Sequence, residues 1–411
     1  MTACASQTAD VGPPPTTTGL RAALFLVLIG ICAALHIWKL PPALPQLQAQ
    51  FQLSLVQSGF LLSVVQMGGM ALGLPVGLAA ERIGLRRCIV IGLAILALAS
   101  VLGAWLDSAT AILLCRAIEG CGFLMVAMPV PSLIRRLIAP AHLSRIMGLW
   151  GCYMPLGTVI ILLSGSWVLT LGNWQLLWLL LAALTLACLL LTLSQVPPDP
   201  ALHHDQPRPA TLSLVGTTLK AQNVWLVALT FGAYSSQWIA VIGFLPTIYM
   251  SAGIAGTTAG LLTAVVAGAN AIGNLSAGRL LHRGVPAWQL LLLGLGAMII
   301  CAYLAFGASL PATAQFLAVL TFSMMGGLVP ATLFVLALTL APSPQTTSTT
   351  IGWMQQCSSL GQFAGPPLVA WVVNQAGGDW QWTWVATGAM ALAGIGLTLQ
   401  IRRRTQSGDN A

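Results

Sequence analysis

Charge is what this chain has least of. Its 411 residues include 16 Lys or Arg and 8 Asp or Glu, so only 6% are charged, against about 25% in a typical soluble domain. Hydrophobic residues make up 57% and the mean hydropathy is +0.88; no water-soluble surface can be assembled from that inventory. Other chemistry is missing as well. No GxxxxGK[ST] run is present to cradle nucleotide phosphates, which excludes ATP as the direct energy source. The GCG at 120–122 is too short for a nucleotide loop and lies inside an apolar run. No HExxH or His-rich constellation points to a membrane metalloenzyme. The 9 cysteines (Cys4, Cys32, Cys88, Cys115, Cys121, Cys152, Cys188, Cys301 and Cys357) contain no CxxC pair. They read as small packing residues, not as a disulfide framework or a zinc site. No catalytic residue, metal or cofactor is expected, and the chain is not read as an enzyme. Residues 1–20 are polar, Pro/Thr-rich and carry Asp10; without a basic n-region and short apolar core they are no signal peptide. They read as a disordered tail.

What is there is apolar sequence in long runs. A bilayer core needs about 20 apolar residues per helical span. Twelve runs qualify, near 20–45, 55–80, 87–106, 109–134, 145–169, 174–195, 223–250, 258–281, 287–307, 311–340, 350–375 and 381–401. They do not alternate as barrel strands do, so an all-α membrane protein of twelve transmembrane helices is expected. Alternating the spans puts Arg21, Arg82, Arg86, Arg87, Arg135, Arg136, Arg145, Arg208, Lys220, Arg279, Arg283 and Arg402 to Arg404 on one side. The opposite loops hold only Asp107 and Asp379. By the positive-inside rule both termini are cytoplasmic. The net charge of +8 is then a topology signal and calls for no nucleic-acid partner.

The longest polar interruption, 194–223, divides the spans six and six. Its His203, His204 and Asp205 have no further metal ligand nearby in sequence, and a solvated linker is the better reading. The organisation expected is a tail at 1–20, a six-helix bundle over 21–195, a cytoplasmic linker over 196–222, a second bundle over 223–402 and a tail at 403–411. The halves echo each other. GLPVGLAAERIG (73–84) is answered by GNLSAGRLLHRG (273–284), and GNWQLLW (172–178) by GDWQWTW (378–384). Duplicated halves are how many secondary transporters are built, with substrate held near the midplane between them.

GLAAERIGLRR (77–87) resembles the loop signature of the major facilitator superfamily between its second and third spans. Glu81 replaces the common Asp there, and Leu85 stands where a basic residue often sits. Arg116, Gly120 and Gly122 match that superfamily's R-x-x-x-G-x-G pattern in the fourth span. The resemblance implies two pseudo-symmetric six-helix bundles, alternating access, residence in a cell inner membrane and a monomer. It also implies a gating loop of Gly77, Glu81, Arg82, Gly84, Arg86 and Arg87, whose charges latch the cavity from inside. SSQWIAVIGFLPTIYMSAG (235–253), with Phe244-Leu245-Pro246 in place of W-L-P, is similar to the cyanate and nitroimidazole permease branch.

The chemistry sits in two short stretches. CRAIEGCG (115–122) places Arg116 and Glu119 three apart, on one helical face. A charge at the centre of a membrane helix costs about 2.5–3.5 kcal/mol on insertion scales, so two on one helix need a reason. They are either an internal ion pair or the lining of a wet cavity. HIWKLPPALP (36–45) puts His36 and Lys39 on one face in the same way. With the first span ending near Pro45 and the fourth starting near Thr110, both cations fall about 10 Å inside the external surface. In the resembling family the first, fourth, seventh and tenth spans line the cavity, so these four residues would face it. Lys39 and Arg116 would then bind a carboxylate or similar anion, with Glu119 and His36 carrying the coupling proton. Snorkelling of Lys39 and a plain interhelical hydrogen bond from His36 remain open. The second half offers Tyr234, Gln237, Trp238, Asn270, Asn274, Gln355 and Gln356, either to clasp the neutral body of a substrate or as glue between helices. Trp353 and Tyr153 are weaker candidates.

The function expected is proton-coupled uptake of a small organic or inorganic anion across a lipid bilayer. Drug or metabolite efflux is the alternative. Its glycine-rich G-P-x-x-G-G run is lacking in GLWGCYMPLGTVI (148–160), which keeps Gly151, Pro155 and Gly157. A transporter-like ligand sensor is a third reading, although the long cytoplasmic domain such a sensor would use is missing.

Overall fold

Lipid cannot satisfy backbone N–H and C=O groups, so apolar runs of this length fold as helices, and every regular element among the described residues is helical. The computed structural model describes residues 17–138, 146, 149–150, 152–199, 211–343 and 346–407. Within these, the side chains of 17, 18, 74, 77–79, 81, 82, 211, 212, 348 and 407 lie outside the description. Most of the expected N-terminal tail, Arg145, the His203–Asp205 stretch and Arg208 fall outside the described residues.

The first span is two helices, Thr17–Trp38 and Leu40–Phe51, joined at Lys39. The second is Leu55–Ser63, a 3-10 turn Val64–Gln66 and Met67–Ile83; the third is Leu85–Ala104. The fourth breaks between Ala109–Ala127 and Pro129–Leu137, the fifth is Tyr153–Leu171 and the sixth Trp174–Gln195. A short helix, Thr211–Lys220, precedes the seventh span, Gln222–Ser251, and the eighth, Gly256–His282. The ninth is Ala287–Ala302 with a π-helical turn at Tyr303–Gly307, and the tenth is Ala312–Gly326 followed by Leu328–Thr339. The eleventh is Thr347–Gln375 and the twelfth Trp380–Trp382 with Thr383–Ser407. Eleven of these spans are long and apolar enough to cross a bilayer by length and composition. The eleventh span, with 29 residues, has the length, but Gln355, Gln356, Ser358, Ser359 and Gln362 lower its hydropathy.

One expectation changes. The first span does not end near Pro45 but runs on to Phe51, stopping at Gln52 with φ 49°. Pro41 and Pro42 open the second helical segment, in the first turn where an N–H has no acceptor within its own helix. The segment expected as linker contains the helix Thr211–Lys220, tied to the eleventh span by a 2.6 Å hydrogen bond between the Thr218 and Thr349 hydroxyls.

The duplication read from the sequence recurs as geometry. Gly84 (φ 103°) closes the second span and Gly284 (φ 84°) the eighth, both left-handed turns that suit glycine. Asn173 caps the sixth span by accepting from Leu176 N at 3.3 Å, and Asp379 opens the twelfth by accepting from Gln381 N at 2.9 Å. Trp178 lies against Gly103 of the third span as Trp384 lies against Gly307 of the ninth; a Cβ on either glycine would meet the indole Cδ1, at 3.3 and 2.7 Å.

The halves meet along two helix pairs. Gly59 and Gly69 of the second span press against Pro366–Pro367 and Ser359 of the eleventh, and Gln356 Nε2 donates to Met70 O at 2.7 Å. Gly260 of the eighth packs on Ser166 and Leu162 of the fifth. A third contact sets Trp38 edge-on to Trp238 of the seventh, ring centroids 5.3 Å apart.

Candidate functional site

The site begins with a defect in the backbone. Pro41 has no N–H, so the carbonyl of Ile37, four residues earlier, loses its helical donor. Arg116 of the fourth span replaces it: its guanidinium donates to Ile37 O at 3.1 Å and to His36 O at 2.6 Å. A cation at the carbonyl end of a helix is also favoured by the helix dipole. The same guanidinium donates through Nη1 to Glu119 Oε2 at 2.6 Å.

Glu119 uses its second oxygen on the first span. Lys39 Nζ lies 2.5 Å from Glu119 Oε1, donates to Ser100 Oγ at 2.9 Å and stands 4.3 Å over the Trp178 ring. Ser100 in turn donates to Trp178 O at 3.0 Å. One carboxylate therefore bridges two cations, and Lys39, Arg116 and Glu119 are all at most 1% exposed. Lys39 lies twelve residues from Phe51 (51 − 39), about 18 Å along a helix. That is deeper than the sequence suggested and too far from either end to snorkel.

His36 completes the cluster. Its Nε2 is 2.7 Å from Thr185 Oγ1 in the sixth span, and that hydroxyl spends its own proton on Leu181 O at 2.7 Å. Thr185 then accepts from His36, which places a proton on Nε2; in the neutral ring Nδ1 is an acceptor. Nδ1 has no hydrogen-bond partner and faces Glu119 Oε1 at 3.9 Å. With His36 neutral, the cluster carries two positive charges and one negative.

The first, third, fourth and sixth spans surround these four residues. They meet each other, and among the described residues their hydrogen bonds stay within the first half; Trp38 stands on the neighbouring face of the first span and touches Trp238 of the second half. In the second half, Asn270 Nδ2 donates to Tyr234 Oη and to Ser323 O, both at 2.9 Å. Asn274 donates to Asn270 Oδ1 at 2.9 Å, and Trp238 Nε1 to Ser323 Oγ at 3.0 Å. Gln237 is buried, donating to Ala233 O at 2.9 Å, with its Oε1 unpartnered, as is Gln356 Oε1. Gln355 is half-buried. Trp353 packs edge-on to Trp225 at 4.8 Å and Tyr153 stacks on Trp150 at 4.2 Å.

At the arginine-rich end, Gly84 lets the chain turn so that the N–H groups of Arg86 and Arg87 donate to the two oxygens of Asp199, at 2.9 and 3.0 Å. Arg86 also donates to Leu193 O at 2.6 Å. The side chains of Glu81 and Arg82, and the surroundings of Gly77, lie outside the described residues. Sequence reading missed Ser100, Thr185, Asp199 and Ser323. Single hydroxyls in apolar runs carry no signal of their own, whereas Trp178 stood in the repeated GNWQLLW stretch.

The family described as Major Facilitator Superfamily matches residues 26–366. No curated protein matches the chain. Among solved structures, a bacterial homologue of the human lysosomal transporter Spinster, inward-facing and unoccupied, superposes with a TM-score of 0.80 at 17% identity, over 94% of this chain and 98% of that one. A D-xylose–proton symporter gives 0.75 at 16% identity, covering 92% and 97%. A nucleoside transporter gives 0.76 at 14%, covering 93% and 99%.

Proposed function

The chain belongs to the Major Facilitator Superfamily, and from that premise we propose that it is a proton-coupled symporter taking up a small organic or inorganic anion. The bundles over 21–195 and 223–402 rock about their shared surface, joined by the 196–222 linker. The arginine-rich end and both termini face the cytoplasm of a cell bounded by this inner membrane, and the monomer is the working unit.

One observation carries the reading: Glu119 gives one oxygen to each of two buried cations. A proton on Glu119 would leave Lys39 and Arg116 without their counter-charge, and an uncompensated buried charge costs several kcal/mol. An anion entering with the proton restores the balance, so the two species travel together. His36 Nδ1, bare and aimed at Glu119, is the station that receives the proton and passes it on. Tyr234, Gln237, Trp238, Asn270, Gln355 and Gln356 shape the space for the uncharged part of the cargo. Proton coupling is the mode of one solved relative above, the D-xylose–proton symporter. The Phe244-Leu245-Pro246 run favours cargo of the size handled by the cyanate and nitroimidazole permease branch.

The test uses proteoliposomes loaded with a pH-sensitive dye and presented with benzoate, malate, nitrate, sulfate or a cationic drug. Acidification of the lumen driven by one of the anions, absent in Glu119→Gln, is expected. Movement of the cationic drug against protons, with every anion silent, would overturn the reading in favour of efflux.

A further inference from the structure

At the arginine-rich end the two halves carry clefts at equivalent places, each between the start of a half's third span and the end of its sixth. The first, about 500 Å³, is lined by Ile83, Arg86, Arg87, Val90, Ile91 and Leu193. The second, about 260 Å³, is lined by Pro286, Ala287 and Trp288 at the start of the ninth span, by Ile401, Thr405 and Gln406 of the twelfth, and by Leu336 of the tenth. The repeat that aligns Gly84 with Gly284 aligns Arg86 and Arg87 with Pro286 and Ala287. Duplication has thus left two clefts of the same origin, and only one has cations on its floor.

The charged cleft is built in layers. Ile83 and Ile91 expose 40% and 42% of their surface, an apolar wall open to lipid tails. Arg87 is exposed at the boundary. Arg86 reaches across to Leu193 O, while its Nε is buried without a partner. The nearby acid, Asp199, is already engaged by the backbone N–H groups of Arg86 and Arg87. A ligand fitting this cleft carries an anionic oxygen group at the membrane surface and hydrocarbon directed into the bilayer. At the second cleft, Arg402 lies 4.3 Å over the Trp288 ring.

We propose that the Arg86–Arg87 cleft is a binding site for one anionic glycerophospholipid, its phosphate on the two guanidiniums and its acyl chains along Val90 and Ile91. The site depends on neither the cargo nor the coupling ion proposed above. A polybasic contact with an anionic headgroup is a recurrent mode of lipid recognition; here a shaped cleft restricts it to one lipid in one half.

The full chain, delipidated in detergent, is titrated with phosphatidylglycerol or phosphatidylcholine and its adducts are counted by native mass spectrometry. One phosphatidylglycerol is expected to be retained in preference to phosphatidylcholine. Retention should fall about thirtyfold in Arg86→Gln/Arg87→Gln and about fivefold in the single Arg87→Gln. It should be unchanged in Arg402→Gln and undisturbed by millimolar inorganic phosphate. Equal retention of phosphatidylcholine, or wild-type retention in the Arg87→Gln variant, would overturn the proposal. Displacement by inorganic phosphate would overturn it too, making the cleft a free-anion site. Because Arg87 is exposed, its single variant decides the matter even where the double variant does not fold.

Discussion

Lys39 and Glu119 meet at 2.5 Å in a place where neither side chain reaches the surface. Each is held by a different span, so their pairing fastens the first span to the fourth. The same carboxylate engages Arg116, so removing its charge strands both cations in the low-dielectric interior.

Glu119→Gln keeps the shape and removes the counter-charge. The expected loss of stability is about 3–5 kcal/mol, read as a fall in the detergent unfolding midpoint. Glu119→Gln/Lys39→Met should recover much of it, because it removes one stranded cation. A double variant less stable than the single one would show that Lys39 is held chiefly by Ser100 and Trp178.

Arg116→Lys retains the charge and loses the fork. A single ammonium cannot reach His36 O, Ile37 O and Glu119 Oε2 together, and each carbonyl left without a donor costs about 1–3 kcal/mol. The variant should unfold at a lower temperature than wild type and lose transport. Wild-type stability would mean that the Pro41 break needs no outside donor.

His36→Gln can keep a donor for Thr185 and has no site that titrates. The pH profile of anion-driven proton entry should shift, with Glu119 left as the titrating group, while anion binding followed by thermal shift persists. An unchanged pH profile would assign the proton to Glu119 alone.

Gly84 bears on the turn before the third span. A Cβ there would meet the Asp199 carboxylate, with Asp199 Cγ at 2.7 Å, and φ is 103°. Gly84→Ala should destabilise by about 1–3 kcal/mol, whereas Ala at Gly278, where a Cβ has open space, should be nearly neutral. Equal unfolding midpoints for the two would mean that the turn carries no such constraint.

Cysteines at positions 69 and 359, in a background without native cysteines, should cross-link on oxidation, since a Cβ on Gly69 would lie 3.1 Å from Ser359 Cβ. Transport should stop on oxidation and return on reduction. Full transport by the cross-linked protein would rule out relative motion of the second and eleventh spans at that level.

The span pattern was legible because lipid allows few alternatives: about twenty apolar residues in a row, flanked by arginine on one side, read directly as a helix. The shared face of Arg116 and Glu119 was legible from their spacing of three, but spacing left an ion pair and a cavity lining both open, and packing against the first span decides for the pair. What the sequence hid was direction. His36 and Lys39 lie at the joint between the two helices of the first span, and which neighbours they meet depends on the rotation of that span, set by packing such as Gly157 on Ala34. The end of the first span was hidden by its prolines, which signal a stop unless the chain restarts a helix at once, as it does at Leu40. Asp199 lay in a stretch that composition marks only as linker.

The roof over Lys39 has a consequence for synthesis. The chain emerges from its N-terminus, so Lys39 and Arg116 enter the membrane well before Thr185 and Trp178 exist. Until the sixth span arrives, the lysine lacks its aromatic cover and His36 its hydroxyl partner. The first half therefore carries an unfinished charged centre through most of its own translation, closed by the last helix of that half. The second half, whose polar groups carry no formal charge, has no such deadline.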